Sequence, residues 1–388
     1  MTRLRINLDH MAGTPVLPDV AEAMAAALDE GGNPSSIHEA GRRAKRQLEQ
    51  ARRQVATLIG AKPGEVFFTS CGTEANNWAL KGLFAANKRK GNHLVISAIE
   101  HPSVSLVARR LELEGAQVSI LPVDREGAVP AEALRAALQP GTVLVSVMLA
   151  NGEVGTIEPI EELAAIAHEQ GVLFHTDAVA AVGHLPIDVR ALGVDALSLA
   201  ANQFYGPPGA AALFVREGVR VLPLLEGGGQ ETGGRSGTEA LPAIVGMGTA
   251  AEIAARELPQ RVERLARLRD RLKDGLLLRV DRVRLNGSWT SRLPHNLHVC
   301  VDGVSSESLV LGLDQVGIAV GLGSACNSKS MRPSHVLKAV GLSDEEAKGA
   351  LVFTLGVQTT EAQIDLSFEL IPAVVQRLRN VTALTARL

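Results

Sequence analysis

The chain lacks an excess of charge, a long apolar run, a cysteine framework and any fixed-period repeat, and each absence removes a class of protein. Its 388 residues carry a formal net charge of -3, which gives no electrostatic reason to expect DNA, RNA or an anionic membrane as partner. The first residues, MTRLRINLDH, contain no apolar run that could serve as a secretion signal. No later stretch approaches the roughly 18 uncharged residues of a membrane span. The expectation is a cytoplasmic protein that contacts no membrane. Cys71, Cys300 and Cys326 are too few and too scattered for a disulfide framework or a CxxC metal site. Without a fixed-period repeat, a solenoid is not expected. What is present, 46% hydrophobic and 21% charged residues, is the composition of a globular protein, and the length predicts two or three domains.

From about residue 60 to 215, short apolar segments alternate with amphipathic ones. The predicted strands are Glu65–Thr69, His93–Ser97, Val118–Pro122, Val143–Leu149, Val172–His175, Asp195–Leu199 and Ala211–Val215. Several are apolar throughout, as strands covered by helices on both faces should be, so the pattern predicts an α/β fold with a largely parallel, doubly wound sheet. Ile37, Ala40, Ala44, Leu48, Ala51, Val55 and Leu58 recur at spacings of three and four, giving one apolar helical face. A helix is also expected over Thr73–Lys88, with Thr73 and Glu74 at its start. Beyond residue 240, a long Arg/Glu-rich helix over Ala240–Leu278 leads to a shorter α+β segment, with a strand over Asn296–Val301 and a last helix over Thr360–Leu378. The division this suggests is a large α/β domain over residues 16–255 and a small α+β domain built from 1–15 and 256–388.

Five stretches bear on chemistry. In Thr69–Glu74, TSCGTE, the permissive Gly72, the Thr73 hydroxyl and free N–H groups at a helix start could hold a phosphate, although a threonine before a helix is more often a cap. Asp177, in FHTDAV, and His101, after Glu100, each follow a strand, at the edge where open α/β sheets bind ligands. A helix-capping aspartate and a structural histidine are the plain alternatives. The segment GLGSACNSKS, Gly321–Ser330, is Gly/Ser-rich and holds Cys326, with Lys329 and Arg332 near enough to favour a thiolate; an incidental surface cysteine competes about evenly with that reading. In LSLAANQFYGPPG, Leu197–Gly209, a strand runs into a Gly/Pro-rich turn whose polar centre, Asn202-Gln203, offers no nucleophile, base or amine.

GNPSSIHEAGR (Gly32–Arg42), TSCGTEANN, EHPSV, VMLANGEVGTIEPI (Val147–Ile160), FHTDAVAAVGHLPIDV, GGGQETGGRSGTEA (Gly227–Ala240) and GSACNSKSMRPSHVL (Gly323–Leu337) together resemble the cysteine desulfurases. These are fold-type I, pyridoxal-phosphate (PLP) enzymes of the class-V aminotransferase group. The resemblance runs in order from Leu8 to about Leu366. It implies a PLP-transferase-like large domain with a mainly parallel seven-stranded sheet, a smaller C-terminal α+β domain, and a homodimer. It also implies a cofactor linked to a lysine, and a loop cysteine that takes sulfur from L-cysteine as a persulfide and leaves alanine. The cofactor supplies the electron withdrawal and the protein supplies orientation. By this resemblance His101 stacks on the ring and shuttles protons, Asp177 partners the pyridinium nitrogen, and Gly72 and Thr73 bind phosphate. Asn151 contacts the ring, Thr238 reaches the phosphate of the other subunit, and Cys326 carries the persulfide.

The chain departs from the same pattern at several positions. Where the family reads Ser-x-His-Lys-Phe, this sequence reads Ala200-Ala201-Asn202-Gln203-Phe204, so the Schiff-base lysine is Gln203 and two phosphate partners are Ala200 and Asn202. The glutamine beside the ring hydroxyl is Ala180, Gly152 and Val154 replace an asparagine and a threonine, and Met11 lies in an altered N-terminal motif. The arginine that forks onto the substrate carboxylate is Val352, which removes a charge-assisted contact worth about 1.5–3 kcal/mol. The expectation is a chain with no covalently bound cofactor, PLP being held only non-covalently if at all. Its remaining use would be as a sulfur acceptor or relay through Cys326, or as a scaffold for an active desulfurase or a sulfur-acceptor protein. The alternatives are an active desulfurase with unusual PLP use, and a different ligand in a more apolar pocket.

Overall fold

The structure, a computed structural model, describes residues 5–322 and 334–385, with side chains to residue 381. In chain order its strands are β1 (Ile6–Leu8), β2 (Val66–Thr69), β3 (His93–Ser97), β4 (Gln117–Leu121), β5 (Thr142–Ser146), β6 (Leu173–Asp177), β7 (Ala196–Ala200), β8 (Ala211–Val215), β9 (Val283–Asn286), β10 (Asn296–Val301), β11 (Ile318–Val320) and β12 (Ala350–Thr354). The helices are α1 (Pro18–Glu30), α2 (Glu39–Leu58), α3 (Gly72–Asn87), α4 (Pro102–Leu113), α5 (Ala131–Ala137), α6 (Ile160–Glu169), α7 (Leu241–Arg279), α8 (Ser306–Gln315), α9 (His335–Ala339), α10 (Asp344–Ala347) and α11 (Glu361–Thr385).

The main sheet has seven strands in the order β2-β8-β7-β6-β5-β3-β4. All pairs among β7, β6, β5, β3 and β4 are parallel, and β8 alone runs antiparallel to both its neighbours. Strands β3, β5, β7 and β8 are buried along their whole length, which is why they read as continuous apolar runs: helices cover both faces. The seven sequence-predicted strands are these seven: His93–Ser97 and Ala211–Val215 match at both ends, and the other five have ends displaced by up to three residues. Val147–Leu149, expected within β5, lie beyond its end. Because β2 and β7 flank a reversed strand, their C-terminal ends lie on the same edge as those of β3, β5 and β6, and that edge is where the candidate site forms.

Two expectations at helix starts need correction. Ile37 is not on the apolar face of α2: it precedes the His38 cap and is 90% exposed, whereas Ala44, Leu48, Ala51 and Val55 are in the core. Helix α3 begins at Gly72, and its cap is Cys71, whose Sγ accepts the Glu74 N–H, not Thr73.

A second core gathers Ile6 and Leu8 of β1, Leu297 and Val299 of β10, Leu351 and Phe353 of β12, and Ile371 and Val375 of α11. Strands β12-β10-β9 form an antiparallel sheet, and β1 pairs in parallel with β11. Helix α7 links the two cores. Leu241, Ile244, Met247 and Ala251 pack beside the main sheet, while Leu265, Leu268, Leu272 and Leu276 pack in the second core. Residue 255, expected as a boundary, therefore lies inside a continuous helix, with Pro259 a turn further on.

Candidate functional site

The C-terminal edge of the main sheet, with the starts of α3 and α4 and residues from the second core, encloses a cavity of about 400 Å³. That lies within the range of small-molecule sites. Of the residues singled out in the sequence, Gly72, Thr73, His101, Asn151, Asp177, Ala180, Ala200, Asn202, Gln203 and Val352 all line it. Thr238 does not. It lines a separate, smaller pocket with Thr69, Ser70, Glu231 and Arg235. Cys326, Lys329 and Arg332 lie outside the described residues, whose nearest neighbours in sequence on the lining are Gly321 and Ser334.

Asp177 ends β6 and no helix follows it, so the capping alternative fails. Its Oδ1 accepts the Val179 N–H at 3.0 Å, and its Oδ2 accepts the Asn76 amide at 2.6 Å. Burial raises its carboxyl above the usual range, opposed by these hydrogen bonds and by His101. Asn76 also donates to the Ser103 hydroxyl at 2.8 Å, and the same hydroxyl contacts His101 Nδ1 at 2.8 Å. A chain of polar contacts thus joins α3, β6 and the start of α4, where His101 is the cap. Asn76 was not picked out from sequence, yet a signal existed: it lies three residues after Thr73, one turn along the same helical face. Gly72 approaches the loop after β6 so closely that a Cβ would lie 2.8 Å from Val179 Cγ2, which explains why the helix start can border the cavity.

Gln203 follows β7 in a short turn and is buried. Its amide nitrogen donates to the Met11 carbonyl at 3.0 Å, its backbone carbonyl contacts His184 Nε2 at 2.9 Å, and its Oε1 has no partner. Tyr205, two residues on, has φ +71°, in the left-handed region, and is held there by the Thr14 hydroxyl, which accepts its N–H at 2.6 Å. The backbone at this turn is therefore pinned by the N-terminal segment, and such strain persists only where surroundings enforce it. Met11 also fills the space beside residue 152: a Cβ on Gly152 would lie 3.1 Å from the Met11 Sδ and 3.6 Å from the Ala180 Cβ. Val352 is buried in β12, its backbone paired with Gly321.

Among the described lining residues there is no lysine and no arginine. A cofactor anchored through a lysine Schiff base therefore does not fit the residues present, because an amide nitrogen cannot condense with an aldehyde, and no step is derived through that group.

Two buried glutamates line the cavity and a third, Glu158, lies near Glu100; none was anticipated as a titrating group. Burial pushes Glu100 up to about 8, despite hydrogen bonds from the Ser97 hydroxyl and the Met148 N–H. Glu158 is likewise pushed up to about 8 and Glu153 to about 7, the latter accepting the Ser334 hydroxyl at 2.7 Å. A carboxyl that titrates higher when folded adds stability below its ordinary pKa and loses it as pH rises through the folded value. Glu100→Gln keeps the shape of the neutral form. Its stability relative to wild type is expected to be constant below about pH 4.5 and to rise by on the order of 4–5 kcal/mol by pH 8.5. Urea midpoints at several pH values check this, and a pH-independent difference would mean that Glu100 ionises freely in the folded chain.

The fold and the site define a protein of the class-V aminotransferase type. A model of the family described as aminotransferase class-V matches residues 6–366. "Cysteine desulfurase IscS" of Methanosarcina thermophila is 46% identical over 383 residues, covering 98% of this chain and 95% of that protein. The protein of the same name from Dictyoglomus turgidum is 45% identical over 378 residues, covering 97% and 96%. A solved structure described as a NifS-like protein superposes with a TM-score of 0.91 at 35% identity, covering 97% of this chain and all 100% of that one. The chain belongs to the cysteine desulfurase family.

Proposed function

We propose that this member of the family does not run the pyridoxal-phosphate reaction and acts in sulfur transfer, receiving a persulfide sulfur on Cys326 and passing it on. The observation that carries the reading is Gln203: its amide is committed to the Met11 carbonyl, and no amine from another described lining residue is available to replace a lysine. The loss of a cationic carboxylate partner at Val352 and the filling of the site by Met11 support the same conclusion. Neither of the other cysteines suits the role as well, since Cys300 is buried and its thiol pushed up to about 11 by desolvation, and Cys71 is committed to capping α3.

The transfer needs no oxidant. The outer sulfur of a donor persulfide moves to the Cys326 thiolate, the S–S bond of the donor breaks, and the donor's inner sulfur leaves as a thiolate. The donor is an active desulfurase, and the protein works as a cytoplasmic homodimer. The separation of Thr238 from the cavity within one chain accords with that residue serving the neighbouring subunit. The large and small domains divide at residues 15 and 255 in this reading, with α7 as the shared strut.

Incubation with an active cysteine desulfurase and L-cysteine is expected to add one sulfur to Cys326, seen by mass spectrometry of the intact chain and its peptides and absent in Cys326→Ser. An unmodified Cys326 beside a fully persulfidated donor would reject the relay. The second reading, an active desulfurase with non-covalent cofactor, is favoured by the presence of Asp177, His101 and Thr73 around one cavity, and turnover assays decide it.

A further inference from the structure

The start of α4 fixes where His101 carries its proton. A backbone N–H can only donate, and the Ser103 N–H points at His101 Nδ1 at 3.1 Å. That nitrogen is therefore an acceptor, and the neutral ring keeps its hydrogen on Nε2. The Ser103 hydroxyl, 2.8 Å from the same nitrogen, must then donate to it as well. With its hydrogen spent there, the Ser103 oxygen is left to accept, and the Asn76 amide nitrogen donates to it at 2.8 Å. The other Asn76 N–H goes to Asp177 Oδ2 at 2.6 Å, and Asp177 Oδ1 takes the Val179 N–H. This order cannot be reversed without setting a proton on Nδ1 against the Ser103 N–H.

Asn76, Ser103 and Asp177 are buried, so water does not compete for these partners. His101 is itself exposed and lines the cavity. With Nδ1 held by the helix start, the ring's remaining nitrogen is a donor, and it has no lone pair with which to take a proton from an occupant. Gly321 and Ser334, which flank Cys326 in sequence, line the same cavity. Next to Ser334, His335 Nε2 donates to the carbonyl of Glu100, the residue before His101, at 3.0 Å.

We propose that Ser103 is a positioning residue that holds His101 as an N–H donor, and that His101 serves sulfur transfer by donating its Nε2–H to the anionic outer sulfur of the persulfide on Cys326. It does not act there as a base. No bond is made or broken at the ring: the proton stays on Nε2 while the S–S bond of the donor is exchanged for that of Cys326, and a charge-assisted hydrogen bond of this kind is stronger than a neutral one. The proposal rests on the relay reading for the sulfur, and on the contacts of Ser103 alone for the tautomer.

Nuclear magnetic resonance of the full chain carrying isotope-labelled histidine reads the tautomer without any sulfur donor, with His101→Gln assigning the ring signals. His101 is expected to show an unprotonated Nδ1 and a protonated Nε2. Ser103→Ala should shift the Nδ1 resonance, and Ser103→Thr, which restores the hydroxyl, should return it. In loading by an active desulfurase and L-cysteine, the rate of persulfide formation at Cys326 should fall about tenfold in His101→Phe. His101→Gln, which keeps an N–H donor and offers no base, should load about threefold faster than His101→Phe. A proton on Nδ1 in the wild type, an Nδ1 resonance indifferent to Ser103→Ala, or loading in His101→Gln as slow as in His101→Phe would each overturn the proposal. An absence of sulfur on wild-type Cys326 would reject the relay itself, and the resonance measurement would still judge the role of Ser103.

Discussion

Supplied with pyridoxal phosphate and L-cysteine, the purified protein is expected to release alanine and sulfide roughly a thousandfold or more slowly than an active family member, and to give no borohydride-reducible adduct. The reason is chemical rather than steric: the Gln203 amide nitrogen is not a nucleophile towards an aldehyde, and it donates its hydrogen to Met11. Restoring the amine alone should recover little. In Gln203→Lys the pocket still lacks a cation at Val352 and polar groups at Ala180, Ala200 and Gly152, and Met11 occupies the space a side chain at 152 would need. Adding Val352→Arg restores a carboxylate fork and should raise activity further, still well short of an active relative, because groups acting as a unit do not add independently. Full activity from Gln203→Lys alone would show that the rest of the pocket is intact for this chemistry, and turnover by the wild type would reject the reading outright.

The largest stability effect is expected away from the cavity, at Arg52. Its guanidinium donates to the Val66 carbonyl at 2.6 Å and forks onto both oxygens of Glu231 at 2.7 and 2.8 Å. Glu231 also accepts the Phe68 N–H and sits at φ +46°, in the left-handed region. The pair is buried, at 9% and 1% side-chain exposure, so removing one member leaves the other as an uncompensated charge. Arg52→Ala should therefore cost about 3–5 kcal/mol. Replacing both with apolar residues, Arg52→Met with Glu231→Leu, should cost clearly less than the single change, although the Val66 carbonyl and Phe68 N–H are left without these partners. Urea unfolding followed by tryptophan fluorescence reads the difference, since Trp78 packs on Phe67 and beside Gly234 of the loop that Glu231 anchors. A loss under 1 kcal/mol for Arg52→Ala would mean that the fork contributes little. That loop carries Thr238, so the same variant should also loosen the segment around it.

Much of the fold was legible because its strands are buried on both faces. His93–Ser97 and Ala211–Val215 were readable to the residue, since continuous apolar runs bounded by turn residues leave few alternatives. Helix α2 was legible from its spacing, but its start was not: Ile37 fits the period and still lies in solvent, because the chain enters the helix only at Glu39. The reversal of β8 was not legible either, as an apolar pentapeptide has no direction until its neighbours pair with it.

The same division holds at the site. Sequence alone determined which reactive groups the chain can and cannot offer: glutamine at 203, valine at 352, alanine at 180, and a cysteine at 326. These are covalent facts that no packing alters. Tertiary structure decided what the retained groups face. It brought Asn76 onto Asp177, turned the Gln203 amide to Met11, closed Met11 over Gly152, and set Thr238 apart from the cavity. Hydrogen-bond direction and desolvation depend on distances between segments a hundred or more residues apart, and no local pattern in the sequence encodes them.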